Sequence, residues 1–200
     1  MTKKEGKRFP LSEPGPMLPP VPAAITSVKG KGGLPDELSV LWSFVLGSKP
    51  PKVGISAEEK HVAEKLLRER GEFVLNVLTK DYVEGFDLVD MHSYEEGNKY
   101  ELAGFSKGTA RKVDAPTVEE AAIQLECEIF DTIDLPPNRT VFFADVLTTS
   151  VKGRICDSEG RLIVEKVPFF GMTAGSGEFF TMGEKQGHIG MTADRDDILY

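Results

Sequence analysis

Two hundred residues carry 24 basic and 32 acidic side chains, a formal charge of −8 that favours solubility and opposes attraction to nucleic acid or an anionic membrane. No apolar run is long enough for a membrane span, and the basic start, Met1 to Arg8, lacks the apolar core of a signal peptide, so the expected location is the cytoplasm. Cys127 and Cys156 are too few for a zinc set and too far apart for a CxxC pair, so neither a structural metal nor a dithiol redox motif is expected.

The length suits a single all-β domain. Residues 1–22 hold Pro10, Pro14, Pro16, Pro19, Pro20 and Pro22, which exclude regular ladders and predict an extended arm, placed to wrap a partner subunit. A domain over residues 23–193 follows. Its first strand is Ala23 to Val28, and Lys29-Gly30-Lys31-Gly32-Gly33 turns the chain back. This glycine cluster is a poor phosphate loop, because it lacks a Gly-Lys-Ser/Thr ending and leads into a strand. The β-branched and aromatic run Leu38 to Val45 is the second strand, ended by Gly47 and Pro50-Pro51, and Lys52 to Ser56 is the third.

From Glu58 to Arg70 the period lengthens to that of a helix. Val62, Ala63, Leu66 and Leu67 share one face; Glu59, Lys60, Glu64, Arg68 and Glu69 share the other. Ser56 and Glu59 have the spacing of a capping box, and Gly71 stands where a left-handed C-terminal cap is wanted. Glu72 to Leu78 is apolar enough to run through the middle of a sheet. Asp81 to Glu101 reads as helical or irregular, broken at Gly85 and Gly97. A long strand around Ile123 to Ile129 and a strand from Thr140 to Leu147 form a hairpin about Pro136-Pro137-Asn138. Short strands and glycine turns continue beyond Gly153, and residues 194–200 form a polar tail.

Eight segments occur in one order: Leu11 to Pro16, Ser39 to Trp42, Pro50 to Ser56, Gly71 to Val77, Asn98 to Tyr100, Lys112 to Pro116, Leu125 to Cys127 and Thr181 to Gly187. In that order the chain resembles the flavin reductase family with the FMN-binding split barrel, most closely its flavoredoxin-like branch. The resemblance implies a mainly β (α+β) fold, a six-stranded antiparallel Greek-key split barrel with a few flanking helices. It also implies a homodimer that binds FMN and acts as an oxidoreductase. Hydride would reach flavin N5 from NADH or NADPH and leave to free flavin, an iron complex or an electron carrier, with no catalytic side chain. The alternative is a protein that binds FMN or another small ligand without NAD(P)H activity.

The resemblance lays the isoalloxazine ring along Ser39, Val40, Leu41 and Trp42. Taken alone, Trp42 reads as a core or interface aromatic. The family's phosphate-binding Ser/Thr falls on Ala63, which has no hydroxyl, so Ser56, Lys60, His61 and main-chain donors would have to serve. Glu58 and Glu59 add negative charge there. Lys99 matches a lysine placed near the flavin, whereas by itself it reads as a solvated loop lysine. Arg139 replaces a frequent histidine, and Tyr94-Glu95 replace Gly-Arg after Ser93. Phe179 and Phe180 match a segment that closes the pocket, with ordinary strand packing as the alternative. His61, His92 and His188 are isolated, and no GxGxxG turn or Ser/His/Asp spacing is present.

Overall fold

The computed structural model describes residues 15, 16, 18, 21–159, 162–187, 189, 191 and 192. Most of the arm, the whole tail and His188 lie outside the described residues. Strands β1 (Val21–Pro22), β2 (Ala24–Val28), β3 (Glu37–Val40), β4 (Trp42–Ser48) and β5 (Pro51–Glu58) precede helix α1 (Val62–Arg70) and β6 (Glu72–Val77). Helices α2 (Val83–Met91) and α3 (Lys99–Leu102) lead to β7 (Lys107–Thr109), β8 (Pro116–Val118), β9 (Ile123–Leu135) and β10 (Arg139–Val151). A final hairpin is made by β11 (Phe170–Met172) and β12 (Phe179–Thr181).

The main sheet is antiparallel, in the order β3-β2-β6-β9-β10-β5-β4. Its two outermost strands, β3 and β4, are consecutive in the chain and separated by Leu41 alone. A sheet whose far edges are joined by one residue has to curl until they meet, which produces the split barrel expected from the resemblance. Register shifts between Phe143 and Ala144, between Val146 and Thr148, and between Val45 and Gly47 supply local bends.

The main sheet has seven strands where six were expected, because the run Leu38 to Val45 changes partner midway. Val40 pairs with Ile25 of β2, whereas Trp42 pairs with Ser56 of β5. Leu41 belongs to neither ladder and buries its side chain in the barrel. β6 runs between β2 and β9, the interior position its apolar sequence called for. Val21 and Pro22 do form a ladder, a short one with Met172 and Gly171, at the end of the arm where no ladder was expected.

Helix α1 starts at Val62, later than its apolar pattern suggests. Ser56, Ala57 and Glu58 extend β5 opposite Val141, Thr140 and Arg139, and cross-strand pairing outcompetes helix formation there. The capping box between Ser56 and Glu59 is therefore absent; His61 is the N-cap and makes no side-chain cap bond. The helix ends as its sequence predicts, with Gly71 at φ 70° and its N–H donating to Leu67 O at 3.0 Å.

Gly85 does not break α2 but lies inside it. A Cβ at Gly85 would sit 2.7 Å from Phe105 Cζ, so the glycine serves close packing. α2 covers one face of the β2–β3 edge, burying Phe86 and Val89 with Ile25, Leu38 and Leu78. The barrel interior is a second core, built on Ile55, Leu66, Leu67, Phe73 and Phe142. Cys127 belongs to it, and burial pushes its thiol up to about 12, so it stays protonated.

Candidate functional site

Alternation along β3 puts Glu37 and Ser39 on one face and Leu38 on the other, since side chains of a strand repeat every second residue. Leu38 enters the core. Glu37 and Ser39 face a cavity of about 350 Å³ that is also lined by Lys60, His61 and Lys99. A smaller cavity of about 150 Å³ is lined by Leu41, Trp42, Ser56 and Arg139. The two share Val40, His61 and Asp90 and so form one bent cleft around the β3–β4 junction.

Nine of the twelve residues singled out from the sequence line this cleft: Ser39, Val40, Leu41, Trp42, Ser56, Lys60, His61, Lys99 and Arg139. The other three do not. Ala63 is sealed in the first turn of α1 at 1% exposure and offers nothing to a ligand. Phe179 packs edge-on against Phe86, 5.8 Å between ring centroids, and so lies behind a residue of the cleft wall. Phe180 is half exposed on β12 and lines none of the cavities described. From that hairpin it is Met172 that reaches the cleft.

Lys99 is not a solvated loop lysine. Its ammonium lies 2.9 Å from Glu37 Oε1 and donates to Leu38 O at 2.9 Å, with both side chains more than nine-tenths buried. Ser39 Oγ donates to the same Glu37 oxygen at 3.3 Å. Burial raises the Glu37 carboxyl above the usual range, while the Lys99 charge pulls it back down. The pair leaves this end of the cleft polar but close to neutral.

A second charged cluster is built where β5 runs out. Arg139 stands opposite Glu58 in the ladder, and Lys60 follows in the turn before α1. Glu58 accepts from Arg139 Nη2 at 3.0 Å and from Lys60 Nζ at 2.8 Å. Hydrogen bonding by Lys60 is the largest influence on its carboxyl and, with the charges of Lys60, Arg139 and His61, holds it below the ordinary value against the opposing effect of burial. His61 is shifted below its ordinary value, mainly by burial, and the charges of Lys60, Lys99 and Arg139 act in the same direction while Glu58 opposes them. Asp90, facing it across the shared wall, is raised by burial and by Asp87.

Glu37, Phe86, Asp90 and Met172 were not found by sequence reasoning. Glu37 had a signal, its i, i+2 spacing from Ser39 on one strand face. The other three come from distant segments that only the folded chain brings to the cleft. Among the described residues no group of three or more His, Cys, Asp or Glu side chains is placed to hold a metal. No described helix is long and apolar enough to cross a membrane.

An antiparallel sheet curled until its edges meet, with a cleft at the β3–β4 junction, defines a protein of the split-barrel class. The chain belongs to the flavin reductase-like family: the family model described as flavin reductase like domain matches residues 19–160. Flavoredoxin of Desulfovibrio vulgaris (Miyazaki F) superposes with a TM-score of 0.80 at 21% identity, covering 94% of this chain and 97% of that one. Flavoredoxin from Methanosarcina acetivorans gives 0.82 at 19% identity over 94% and 98%. An NADPH-flavin oxidoreductase of Streptomyces viridifaciens is 27% identical over 157 residues, 74% of this chain and 79% of the relative.

Proposed function

We propose that the cleft binds FMN and that the protein is an NAD(P)H-dependent flavin reductase or a flavoredoxin-like electron carrier. The observation that carries this reading is the convergence of an apolar ledge at Val40, Leu41 and Trp42 with Lys60, His61 and Arg139 on one bent cleft. The ledge fits a flat, largely apolar ring, and Leu41, outside both ladders, gives main chain to its polar edge. The rim fits a phosphate, and Lys99 stands at the far end as a fixed donor. When bound, the flavin supplies two-electron hydride chemistry at N5. The side chains bind, orient and shield it, and none is required as acid or base. Family membership and the named relative from Streptomyces viridifaciens support NADPH or NADH as donor.

Free flavin, an iron complex or a partner electron carrier would take the electrons. The reading includes a homodimer; edge strand β4 exposes the apolar side chains of Phe44, Val45 and Leu46, which suit burial against a second subunit. A second reading, ligand binding without NAD(P)H activity, is favoured by the burial of Ala63 and by the Glu58 carboxylate within the cationic rim.

The test is an absorbance spectrum of the freshly purified protein, chromatography of heat-released flavin and an FMN titration, followed by anaerobic addition of NADPH or NADH. Flavin bands or saturable binding, then bleaching by the nucleotide, is the expected result. Binding without bleaching selects the second reading, and a colourless protein indifferent to FMN overturns both. Sedimentation at micromolar concentration reports the dimer.

A further inference from the structure

We propose that Glu58 is a counter-anion built into the cationic rim, weakening the hold on a ligand's phosphate so that the flavin exchanges freely as a substrate. The proposal rests on the flavin reading above and specifies which part of the ligand the site grips.

The arrangement is imposed by the fold. Glu58 ends β5 and Arg139 begins β10, and the two are cross-strand partners in the ladder, which brings their side chains together whatever else the cleft holds. Both carboxylate oxygens are engaged, Oε1 by Arg139 Nη2 at 3.0 Å and Oε2 by Lys60 Nζ at 2.8 Å. The two cations best placed for a phosphate are therefore already sharing an anion.

The remaining charges do not restore an anion trap. Lys99 is matched by Glu37 at the other end. Asp90 lies on the wall between the cavities, and Glu95 lines the larger one. The aligned hydroxyl position is Ala63, a buried side chain without a hydroxyl to donate. A phosphate entering the rim must either draw Lys60 or Arg139 away from Glu58 or approach a carboxylate of like charge. The ledge at Val40, Leu41 and Trp42 is untouched by this competition, so ring binding remains while the phosphate adds little. A ligand held mainly by its ring leaves readily, as a diffusible flavin product requires.

FMN and riboflavin differ in the phosphate alone and separate the two contributions. Each is titrated into the full chain, wild type and Glu58→Gln, following quenching of flavin fluorescence at low salt and again at high salt. The expected result is that wild type binds FMN within about tenfold of riboflavin, while Glu58→Gln tightens FMN by about tenfold and leaves riboflavin unchanged. The gain should shrink at high salt, where the rim is screened. Riboflavin bound but FMN unchanged or weakened in Glu58→Gln overturns the proposal and leaves the flavin reading intact. Wild type binding FMN more than about a hundredfold tighter than riboflavin overturns it without any variant. If neither flavin binds wild type or variant, the functional reading fails and the proposal falls with it.

Discussion

Lys99 and Glu37 form a buried ion pair, 2.9 Å between Nζ and Oε1, that joins α3 to the edge strand of the barrel. Because the pair lines the cleft, substitutions at Lys99 report on both stability and binding, and the two have to be separated. Lys99→Met leaves the carboxylate of Glu37 buried without its counter-charge, a loss of about 3–5 kcal/mol. Glu37→Gln combined with Lys99→Met removes the orphaned charge and should recover more than half of it, read from urea midpoints.

The same variant has a defined pH dependence. In wild type the Glu37 carboxyl is already raised above its unfolded value, a shift that favours the folded state below the unfolded pKa and is lost as pH rises through the folded pKa. Removing Lys99 takes away a group that lowers it, so the folded pKa climbs further. The destabilisation of Lys99→Met should be larger at pH 8 than at pH 5, where the carboxyl takes up a proton. Equal losses at both pH values would mean that Glu37 is not the group left uncompensated.

Trp42 marks the ring end of the proposed site. It pairs with Ser56 at the start of β4 and lines the smaller cavity, so Trp42→Ala removes contact area beneath a flat ligand. FMN and riboflavin should both weaken, each by about tenfold or more, since aromatic stacking is worth roughly 0.5–1.5 kcal/mol beyond area burial. This outcome contrasts with Glu58→Gln, which separates the two flavins. Unchanged affinity for both would move the ring off this ledge.

Glu126 holds the loop before β8. Its buried carboxylate accepts the Arg111 N–H at 3.0 and 2.9 Å and the Lys112 N–H at 2.5 Å. Glu126→Gln turns an amide donor toward donors and should lower stability by about 2–3 kcal/mol. Trypsin supplies a local readout, because Arg111 and Lys112 should be cut faster in the variant under native conditions.

Two glycines in and beside helices should respond differently to alanine. At Gly71 the neighbourhood is open and only φ +70° opposes a side chain, so Gly71→Ala should cost about 1 kcal/mol. At Gly85 the helix itself would gain from alanine, but the new Cβ would lie 2.7 Å from Phe105 Cζ and 3.0 Å from Ala103 O. Overpacking of this kind costs about 1–3 kcal/mol and should outweigh the propensity gain. Thermal melts of the two variants decide it, and a stabilised Gly85→Ala would show that the ring moves aside freely.

What was legible in the sequence is what neighbours along the chain decide. The strand from Glu72, the cap at Gly71, the glycine turn after Val28 and the hairpin about Pro136-Pro137-Asn138 depend on period and on local φ preferences, and all four stand in the structure. Where sequence reasoning erred, the competitor was distant. Glu58 stays in a strand because Arg139 pairs with it, and the glycine at position 85 answers to Phe105, which packs where a side chain would sit, and not to a helix break. The division of one apolar run at Leu41 follows from its two halves having different partners, β2 and β5, which no periodicity records.

The residues of the cleft divide in the same way. The resemblance picked out Trp42, Lys60, His61, Lys99 and Arg139 one by one, and the curled sheet brings them to one cleft. Their electrical state was decided by tertiary structure. Charge is set by what lies within a few ångströms, and the partners of Lys99 and Arg139 lie 62 and 81 positions away in the chain.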